Sequence, residues 1–175
     1  MSYKDYVIEV PDFPIQGVNF KDISPLLADQ ETFRSAIVDM GGLLDNIRDY
    51  NNRGVPDYWI GIDARGFIFA SALAVYFGGG VVMCRKKGKL SPPVVSESYT
   101  LEYNTGTLQM KPGQGNGSAV IVDDVLATGG TLLCTNKLAR RAGYDVLDNL
   151  VFIDLQYVPT IIGIDFEIKS LVQYE

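Results

Sequence analysis

Residues 120–131 read VIVDDVLATGGT, and this stretch decides the fold of the 175-residue chain. An apolar run predicts a buried strand, two adjacent aspartates follow it, and Thr-Gly-Gly-Thr stands where a helix should begin. Open α/β sheets bind their ligands at the carboxyl ends of their strands. The order of residues therefore predicts two acids and a set of bare backbone N–H groups at a ligand-binding edge.

The Thr-Gly-Gly-Thr step has the composition of a phosphate-binding loop. Gly129 and Gly130 carry no Cβ, so backbone amides can close on a phosphate. Thr128 and Thr131 add hydroxyl donors, and the helix that begins there contributes the positive end of its dipole. Such a loop can hold a terminal phosphate without a lysine.

Asp123 and Asp124 complete the motif. Their carboxylates can accept hydrogen bonds from a vicinal diol and stabilise a nearby cation. Together with the loop they predict a cradle for a ribose 5-phosphate. The alternative is a helix-capping acid pair followed by an ordinary glycine turn. The stretch contains neither the Gly-Lys-Thr of a Walker A loop nor a dinucleotide-type Gly-x-Gly-x-x-Gly, which argues against an NTPase or a dehydrogenase.

Strand and helix patterns alternate along the chain after an irregular start. Because strands separated by helices and joined by short turns pair in parallel, we expect a single α/β domain over 1–175, with a mainly parallel twisted sheet and helices on both faces. A polar stretch over 85–98 predicts a mobile loop, a hairpin with Asn104-Thr105 near its turn follows, and 111–117 is a connector. The predicted helices span 29–50, 67–77 and 130–142; the predicted strands span 58–62, 81–84, 99–103, 106–110, 120–122 and 150–155.

The charge balance limits the possible partners. A net charge of −6 and a pI near 4.6 argue against nucleic acid, which needs a broad basic face. The positive charge is concentrated in one segment, which indicates a small polyanionic ligand; the alternative is a solvated basic turn. The members of this basic segment are Arg85, Lys86, Lys87 and Lys89.

The sequence contains no histidine, which limits the kinds of metal binding and catalysis that are possible. The usual zinc sites and Ser-His-Asp or Cys-His catalysis are excluded, so proton transfer must use a carboxylate, a lysine, a tyrosine or water. Glu102 becomes the prime candidate; the alternative, which the hairpin pattern alone favours, is a solvent-facing strand residue. Cys84 and Cys134 fit buried thiols of a reducing compartment. Because no stretch has the length of a membrane span and the N-terminus has no apolar signal core, we expect a cytoplasmic protein that does not enter a membrane.

Five stretches in this order resemble one family. Residues 120–131 resemble the phosphoribosyl-pyrophosphate motif of the type I phosphoribosyltransferases. Four other stretches are similar to the adenine-specific members of that family, and the likeness extends from Val10 to the C-terminus. These stretches are 10–14 (VPDFP), 17–27 (GVNFKDISPLL), 61–67 (GIDARGF), and 85–90 (RKKGKL) followed by 97–103 (ESYTLEY).

The resemblance implies a reaction and its partners. The expected reaction is transfer of the 5-phosphoribosyl group from phosphoribosyl pyrophosphate to adenine, which gives AMP and pyrophosphate with Mg²⁺ as cofactor. It also implies a homodimer, a small N-terminal hood over 1–28 that binds the base, and a flexible catalytic loop over 85–103. Two alternatives stay open: the same transfer to guanine, xanthine or orotate, and a non-catalytic regulator of this fold that senses phosphoribosyl pyrophosphate.

The resemblance also assigns roles to residues. It implies a cis peptide between Asp63 and Ala64 in a turn whose amides and arginine face the phosphate pocket; the alternative is a helix cap by Asp63. Phe20 is expected to stack on the adenine, whereas a lone phenylalanine is more often a core residue. Mg²⁺ is expected to be held mainly through the substrate, near Asp123 and Asp124. The roles are, for catalysis, Glu102; for phosphoribosyl pyrophosphate, Asp123, Asp124, Ala127, Thr128, Gly129, Gly130 and Thr131; for pyrophosphate, Asp63, Ala64, Arg65, Arg85, Lys86, Lys89 and Tyr103; and for the base, Val18, Asn19, Phe20 and Lys21.

Overall fold

The fold is built on one large sheet and one small one. The structure is a computed structural model that describes residues 2–44, 54–101, 104–113, 117–161 and 163–175. Within these residues, seven strands form the large sheet in the order β5-β6-β4-β3-β7-β8-β9, and β1 and β2 form the small one. The strands are β1 Ile8–Val10, β2 Phe20–Asp22, β3 Tyr58–Ile62, β4 Gly80–Lys86, β5 Val95–Leu101, β6 Asn104–Met110, β7 Ser118–Leu126, β8 Asp145–Leu155 and β9 Lys169–Tyr174.

The middle of the large sheet is parallel. β3 pairs in parallel with β4 and β7, β7 with β8, and β8 with β9, whereas β6 runs antiparallel to β4 and β5. Residues 59–62 of β3 and 119–122 of β7 are apolar and buried because helices cover both faces of the sheet. The helices are a short 3₁₀ helix Tyr3–Tyr6, α1 Ser24–Ala28, α2 Gln30–Gly42, α3 Gly66–Phe77 and α4 Gly130–Arg141.

Two hydrophobic clusters lie on opposite faces of this sheet. Trp59, Val120 and Val122 pack with α2 and α3 on one face. Ile60 and Ile121, one residue along, pack with α4 on the other. The alternation follows from the two-residue period of a strand, and it places α3 and α4 on opposite sides of β7.

Glycines let α3 lie close to the strands at the site edge. A Cβ on Gly61 of β3 would lie 3.0 Å from the Gly66 carbonyl oxygen, and a Cβ on Gly66 would lie 2.7 Å from the Val122 carbonyl oxygen. Only glycine permits this backbone separation. The close packing sets the start of α3 directly against Asp123, whose Oδ1 would be 3.0 Å from a Cβ on Gly66.

The structure confirms the predicted α/β fold with a mostly parallel sheet, and it corrects several boundaries. β7 continues to Leu126 because Val125 and Leu126 keep pairing with β8, so Asp123 and Asp124 lie inside the strand and not after it. β8 begins five residues earlier than predicted, and the irregular start contains the β1–β2 sheet. β9 was not predicted at all.

The hairpin and the first long helix also differ from prediction. β5 begins at Val95, inside the predicted 85–98 loop, and pairs with β6 through to Leu101 opposite Asn104. Asn104 and Thr105 lie at the end of the hairpin near its turn, as predicted, and both are paired residues of β6. α2 ends at Gly42, short of the predicted 50, and 45–50 lie outside the described residues. Among the helices described, none is long and apolar enough to cross a membrane.

Candidate active site

The predicted phosphate loop connects the end of β7 to the start of α4. Gly129 is the residue before the helix and has φ 81° and ψ 0°, a left-handed conformation that favours glycine. The first N–H groups of α4 have no partner within the helix and point towards the loop, as helix N-termini do. A cavity of about 90 Å³ lies there, about three times the roughly 30 Å³ that a water molecule takes up in the liquid. Its lining is Asp123, Val125, Leu126, Ala127, Thr128, Gly129, Gly130, Thr131, Leu132 and Val151.

Asp123, which is partly buried, and Asp124, which is buried, form a carboxylate pair beside this cavity. The N–H of Asp124 donates to Asp123 Oδ1 at 2.9 Å. Burial raises the pKa of Asp123 well above its usual value, and the neighbouring Asp124 charge raises it further. Burial also raises the pKa of Asp124, while Arg65 acts in the opposite direction. Burial therefore makes the charged form of the pair unfavourable, and a sugar diol, a cation or Arg65 would stabilise that charged form.

Arg65 joins the acid pair to the N-terminal segment. Its Nε lies 2.6 Å from Asp124 Oδ2 as an ion pair. The geometry does not make a hydrogen bond, so this buried oxygen has no hydrogen-bond partner within the described residues. Arg65 Nη1 donates to the Lys21 carbonyl at 3.0 Å, and the guanidinium carbon lies 4.6 Å from the centre of the Phe20 ring. The structure thus brings together three predicted parts of the site, the acid pair, the arginine turn and the base segment.

The Asp63 turn lies between β3 and α3. Its peptide bond to Ala64 is cis, as the family resemblance implies. Asp63 accepts from Arg85 Nε at 3.3 Å, and Arg65 precedes α3 without a side-chain cap, so the cap alternative for Asp63 does not hold. Arg85 also donates to the Lys89 carbonyl at 3.3 Å. The turn and the first residue of the basic segment are therefore in contact.

The structure places the side chains of Lys86 and Lys89 at the surface, and it does not describe the predicted catalytic residue Glu102. Lys86 is the last residue of β4 and is exposed, as is Lys89. Among the described residues, no hydrogen bond or ion pair joins either side chain to Asp123 or Asp124. Glu102 and Tyr103 lie outside the described residues, between the ends of β5 and β6. Their assignments remain predictions.

The base segment forms β2 and the residues before it. Phe20 is half-buried, and its ring meets the exposed Phe13 edge to face at 5.2 Å between centres. Val18 and Asn19 are exposed, whereas Lys21 is buried. Phe20 thus lies in a short strand with one ring face against Arg65, and it belongs to neither of the two hydrophobic clusters.

Sequence reasoning missed two contributors to this region. Glu9 lies opposite Lys21 in the β1–β2 pairing and bonds to it, and Phe13 packs on Phe20. The only signal for Glu9 was one acid in a segment without clear periodicity, because its partner is twelve residues away. Phe13 lies in one of the stretches that carry the family resemblance.

Comparisons with known proteins agree with this geometry. A family model described as Phosphoribosyl transferase domain matches residues 34–154. Adenine phosphoribosyltransferase of Bdellovibrio bacteriovorus is 40% identical over 174 residues, which are 99% of this chain and 100% of that protein. The protein of the same name from Rattus norvegicus is 43% identical over 150 residues, 83% of this chain and 79% of that protein.

Solved structures show the same likeness. The crystal structure of adenine phosphoribosyltransferase from Thermoanaerobacter pseudethanolicus matches with a TM-score of 0.87 at 34% identity, covering 98% of each chain. That of the Giardia lamblia protein, complexed with 9-deazaadenine, matches with a TM-score of 0.83 at 26% identity, covering 100% of this chain and 99% of that chain. This chain therefore belongs to the phosphoribosyltransferase family and, within it, to the adenine phosphoribosyltransferases.

Proposed function

We propose that this chain transfers the 5-phosphoribosyl group of phosphoribosyl pyrophosphate to adenine, giving AMP and pyrophosphate in purine salvage. One observation carries the proposal: Arg65 contacts Asp124 on one side and the Phe20 ring on the other. A sugar held at the acids and a purine held at the ring would meet at this arginine. The substrates then lie in one pocket, as a transfer between them requires.

The sugar phosphate binds at the end of β7. The amides and hydroxyls of 127–131 hold the 5-phosphate, and the left-handed Gly129 turns the chain so that the N-terminus of α4 faces it. Asp123 and Asp124 accept hydrogen bonds from the ribose hydroxyls. Because binding the diol satisfies the buried Asp124 oxygen, the sugar supplies a partner that the acid pair otherwise lacks.

The leaving group carries most of the charge that develops. As the bond from ribose C1 to pyrophosphate breaks, its electron pair leaves with the pyrophosphate and the sugar becomes positive. The lone pair of adenine N9 then forms the new bond to C1, and the N9 proton passes to a base, for which Glu102 is the candidate. Arg65 and Arg85, with Lys86, Lys89 and Tyr103, are assigned to the pyrophosphate; cations placed there stabilise its charge.

The acid pair fits a magnesium complex of the substrate better than a bare ion. In the described part of the chain, no group of three or more acids, cysteines or histidines is placed to hold a metal ion. Asp123 and Asp124 would supply at most part of the oxygen ligands of a Mg²⁺ ion, and oxygens of the substrate and of water would supply the rest. When bound, Mg²⁺ would neutralise the charge of the pyrophosphate.

The base segment is proposed to hold adenine. Phe20 offers an aromatic face, and stacking of a base on such a face is worth about 1–3 kcal/mol. The main chain of Val18, Asn19 and Lys21 is proposed to read the base edge. Arg65 covers the Phe20 ring in this structure, so adenine must either displace its guanidinium or bind against it.

A homodimer and a cytoplasmic location are also proposed. Large apolar side chains are exposed on α3 and β4, with Val75 85% exposed and Tyr76, Val81 and Met83 each above 40%. A second copy of the chain would remove this surface from water. Sedimentation of the wild type against Val75→Asp tests the dimer, because a charge there should dissociate it. Both cysteines are free and buried, which fits a reducing compartment.

The test of the activity is a panel of bases. Purified protein is given phosphoribosyl pyrophosphate with adenine, guanine, xanthine or orotate, each with and without Mg²⁺, and the nucleotide formed is followed by absorbance. Formation of AMP that depends on adenine and Mg²⁺ is expected. Turnover of another base in place of adenine would contradict the base assignment, and binding of phosphoribosyl pyrophosphate with no turnover of any base would indicate a sensor.

A further inference from the structure

We infer that Glu9 is a positioning residue for the base segment, acting through Asn19 and Lys21. The inference rests on the proposed function, because it names how the adenine-binding strand is held in place. Glu9 does not touch the pocket itself. It lies on β1, the strand that pairs with β2.

One carboxylate oxygen of Glu9 accepts hydrogen bonds from two residues of the base segment. Glu9 Oε2 accepts from Asn19 Nδ2 at 2.7 Å and from Lys21 Nζ at 2.7 Å. The two contacts bracket Phe20, which lies between the two donor residues. These hydrogen bonds also lower the pKa of Glu9, with the Lys21 bond the larger cause, so the carboxylate is charged at neutral pH.

The Lys21 ammonium depends on this carboxylate. The Lys21 side chain is only 2% exposed, whereas that of Glu9 is 50% exposed. Besides Glu9, its ammonium faces two aromatic rings, Tyr174 at 4.0 Å and Tyr157 at 5.9 Å from the ring centres. A buried charge without its counter-charge is strongly unfavourable, so loss of Glu9 should drive Lys21 towards water.

Movement of Lys21 must move the adenine-binding groups. Successive side chains of a strand point to opposite faces, so burial of Lys21 turns Phe20 towards the pocket. The Lys21 carbonyl also accepts from Arg65, which lies over the Phe20 ring. The same residue is thus held through its side chain by Glu9 and through its backbone by Arg65. If Lys21 is released, the Phe20 ring loses its support, whereas Arg65 keeps its ion pair with Asp124.

The phosphate cradle has a separate support. It is built by β7 and α4, and the hydrogen bonds that Glu9 makes within the described part of the chain involve neither element. Loss of Glu9 should therefore weaken adenine binding and leave the binding of phosphoribosyl pyrophosphate nearly unchanged. A residue that only supports overall stability would not produce this split.

The first experiment compares Glu9→Gln with Glu31→Gln, an exposed carboxylate on α2 that serves as the matched control. The KM for adenine, the KM for phosphoribosyl pyrophosphate and kcat are measured for each. We expect Glu9→Gln to raise the KM for adenine about tenfold, with the other two constants within about twofold of wild type, and Glu31→Gln to change none of them. An adenine KM within twofold of wild type, or an equal rise in both KM values, overturns the inference.

A double variant tests whether the unpaired charge of Lys21 causes the rise in the KM for adenine. In Lys21→Met there is no ammonium to leave unpaired, so adding Glu9→Gln should change the KM for adenine by less than about twofold. A tenfold rise in that background would overturn the mechanism. Should Glu9→Gln fail to fold, Asn19→Val decides instead, since it removes only the neutral contact; a rise of about threefold is expected and no rise overturns the inference. Wild-type protein that does not convert adenine refutes the proposed function itself, which separates that failure from this one.

Discussion

Gly66→Ala should damage the site although the substitution adds only one methyl group. Its Cβ would lie 2.7 Å from the Val122 carbonyl oxygen, 3.0 Å from Asp123 Oδ1 and 3.2 Å from Asp123 Cα. The nearest atom is backbone of the central strand, so no side chain can rotate away from it. Either α3 or the end of β7 must shift by about half an ångström to restore an ordinary contact.

The expected size of the effect follows from that shift. Overpacking of a tight contact costs about 1–3 kcal/mol, and the gain from replacing glycine in a helix offsets about 0.5–1 kcal/mol of it. The midpoints of the two ranges leave a net loss of about 1 kcal/mol, which corresponds to a fall in Tm of about 2–4 °C for a chain of this size. Because a misplacement of about 1 Å can cost roughly a hundredfold in rate, a smaller displacement of Asp123 should lower kcat/KM about tenfold.

Gly42→Ala is the matched control. Gly42 is the last residue of α2, and a Cβ there would have no atom within 4 Å. This variant should be as stable as wild type or slightly more stable, with unchanged kcat/KM. Thermal unfolding and steady-state AMP formation are measured on both variants. If Gly66→Ala is as stable and as active as Gly42→Ala, the close packing of α3 against Asp123 does not hold the acid in place.

Three further predictions concern the charges and thiols of the site. Arg65→Lys should lower kcat/KM by about a hundredfold in the AMP assay, because an ammonium group cannot pair with Asp124 and at the same time stack on the Phe20 ring. A change below threefold would refute this dual role of Arg65. Burial raises the pKa of the Cys84 thiol from 9.0 to about 12, so its share of the unfolding free energy should be complete below pH 9 and lost as the pH rises towards 12. That loss should be missing from Cys84→Ser in denaturant titrations, and at pH 8 a thiol reagent should label Cys84 and Cys134 only after unfolding. Glu102→Gln should depress kcat far more than the affinity for phosphoribosyl pyrophosphate, and an unchanged turnover rate would reject its assigned role.

The central motif could be predicted from sequence because its signals are local. The apolar run, the two acids and the glycines of 120–131 lie within twelve residues, and each residue type has its own physical reason to be there. The structure moves only the boundary: Val125 and Leu126 extend the strand because β8 offers them partners. Strand pairing, which a single sequence does not reveal, decides where β7 ends.

The elements that were missed depend on distant partners. β1 and β2 have three residues each, too few for a periodic pattern, and they form because they pair with each other across about ten residues. Ser96 and Ser98 made the start of β5 look like a loop, but they pair with β6. Short polar strands of this kind are defined by their register and not by composition.

The burial of Lys21 shows the same limit at the site. Lysine is rarely buried, and nothing in the sequence around Lys21 predicts that it is. Lys21 is buried because Glu9 lies opposite it on β1 and because the ring of Tyr174, on the C-terminal strand β9, packs against its ammonium group. The residue types of the base segment could be read from the sequence. The contacts that hold the segment in place could not, because they depend on the β1–β2 pairing and on β9, neither of which was predicted.

A crystal structure of the protein with bound AMP tests the central claim most directly. The 5-phosphate should lie within hydrogen-bond distance of the backbone amides of 128–131, the ribose hydroxyls should contact Asp123 or Asp124, and the adenine ring should lie beside Phe20. A phosphate bound elsewhere, or ribose hydroxyls that touch neither aspartate, would contradict the account.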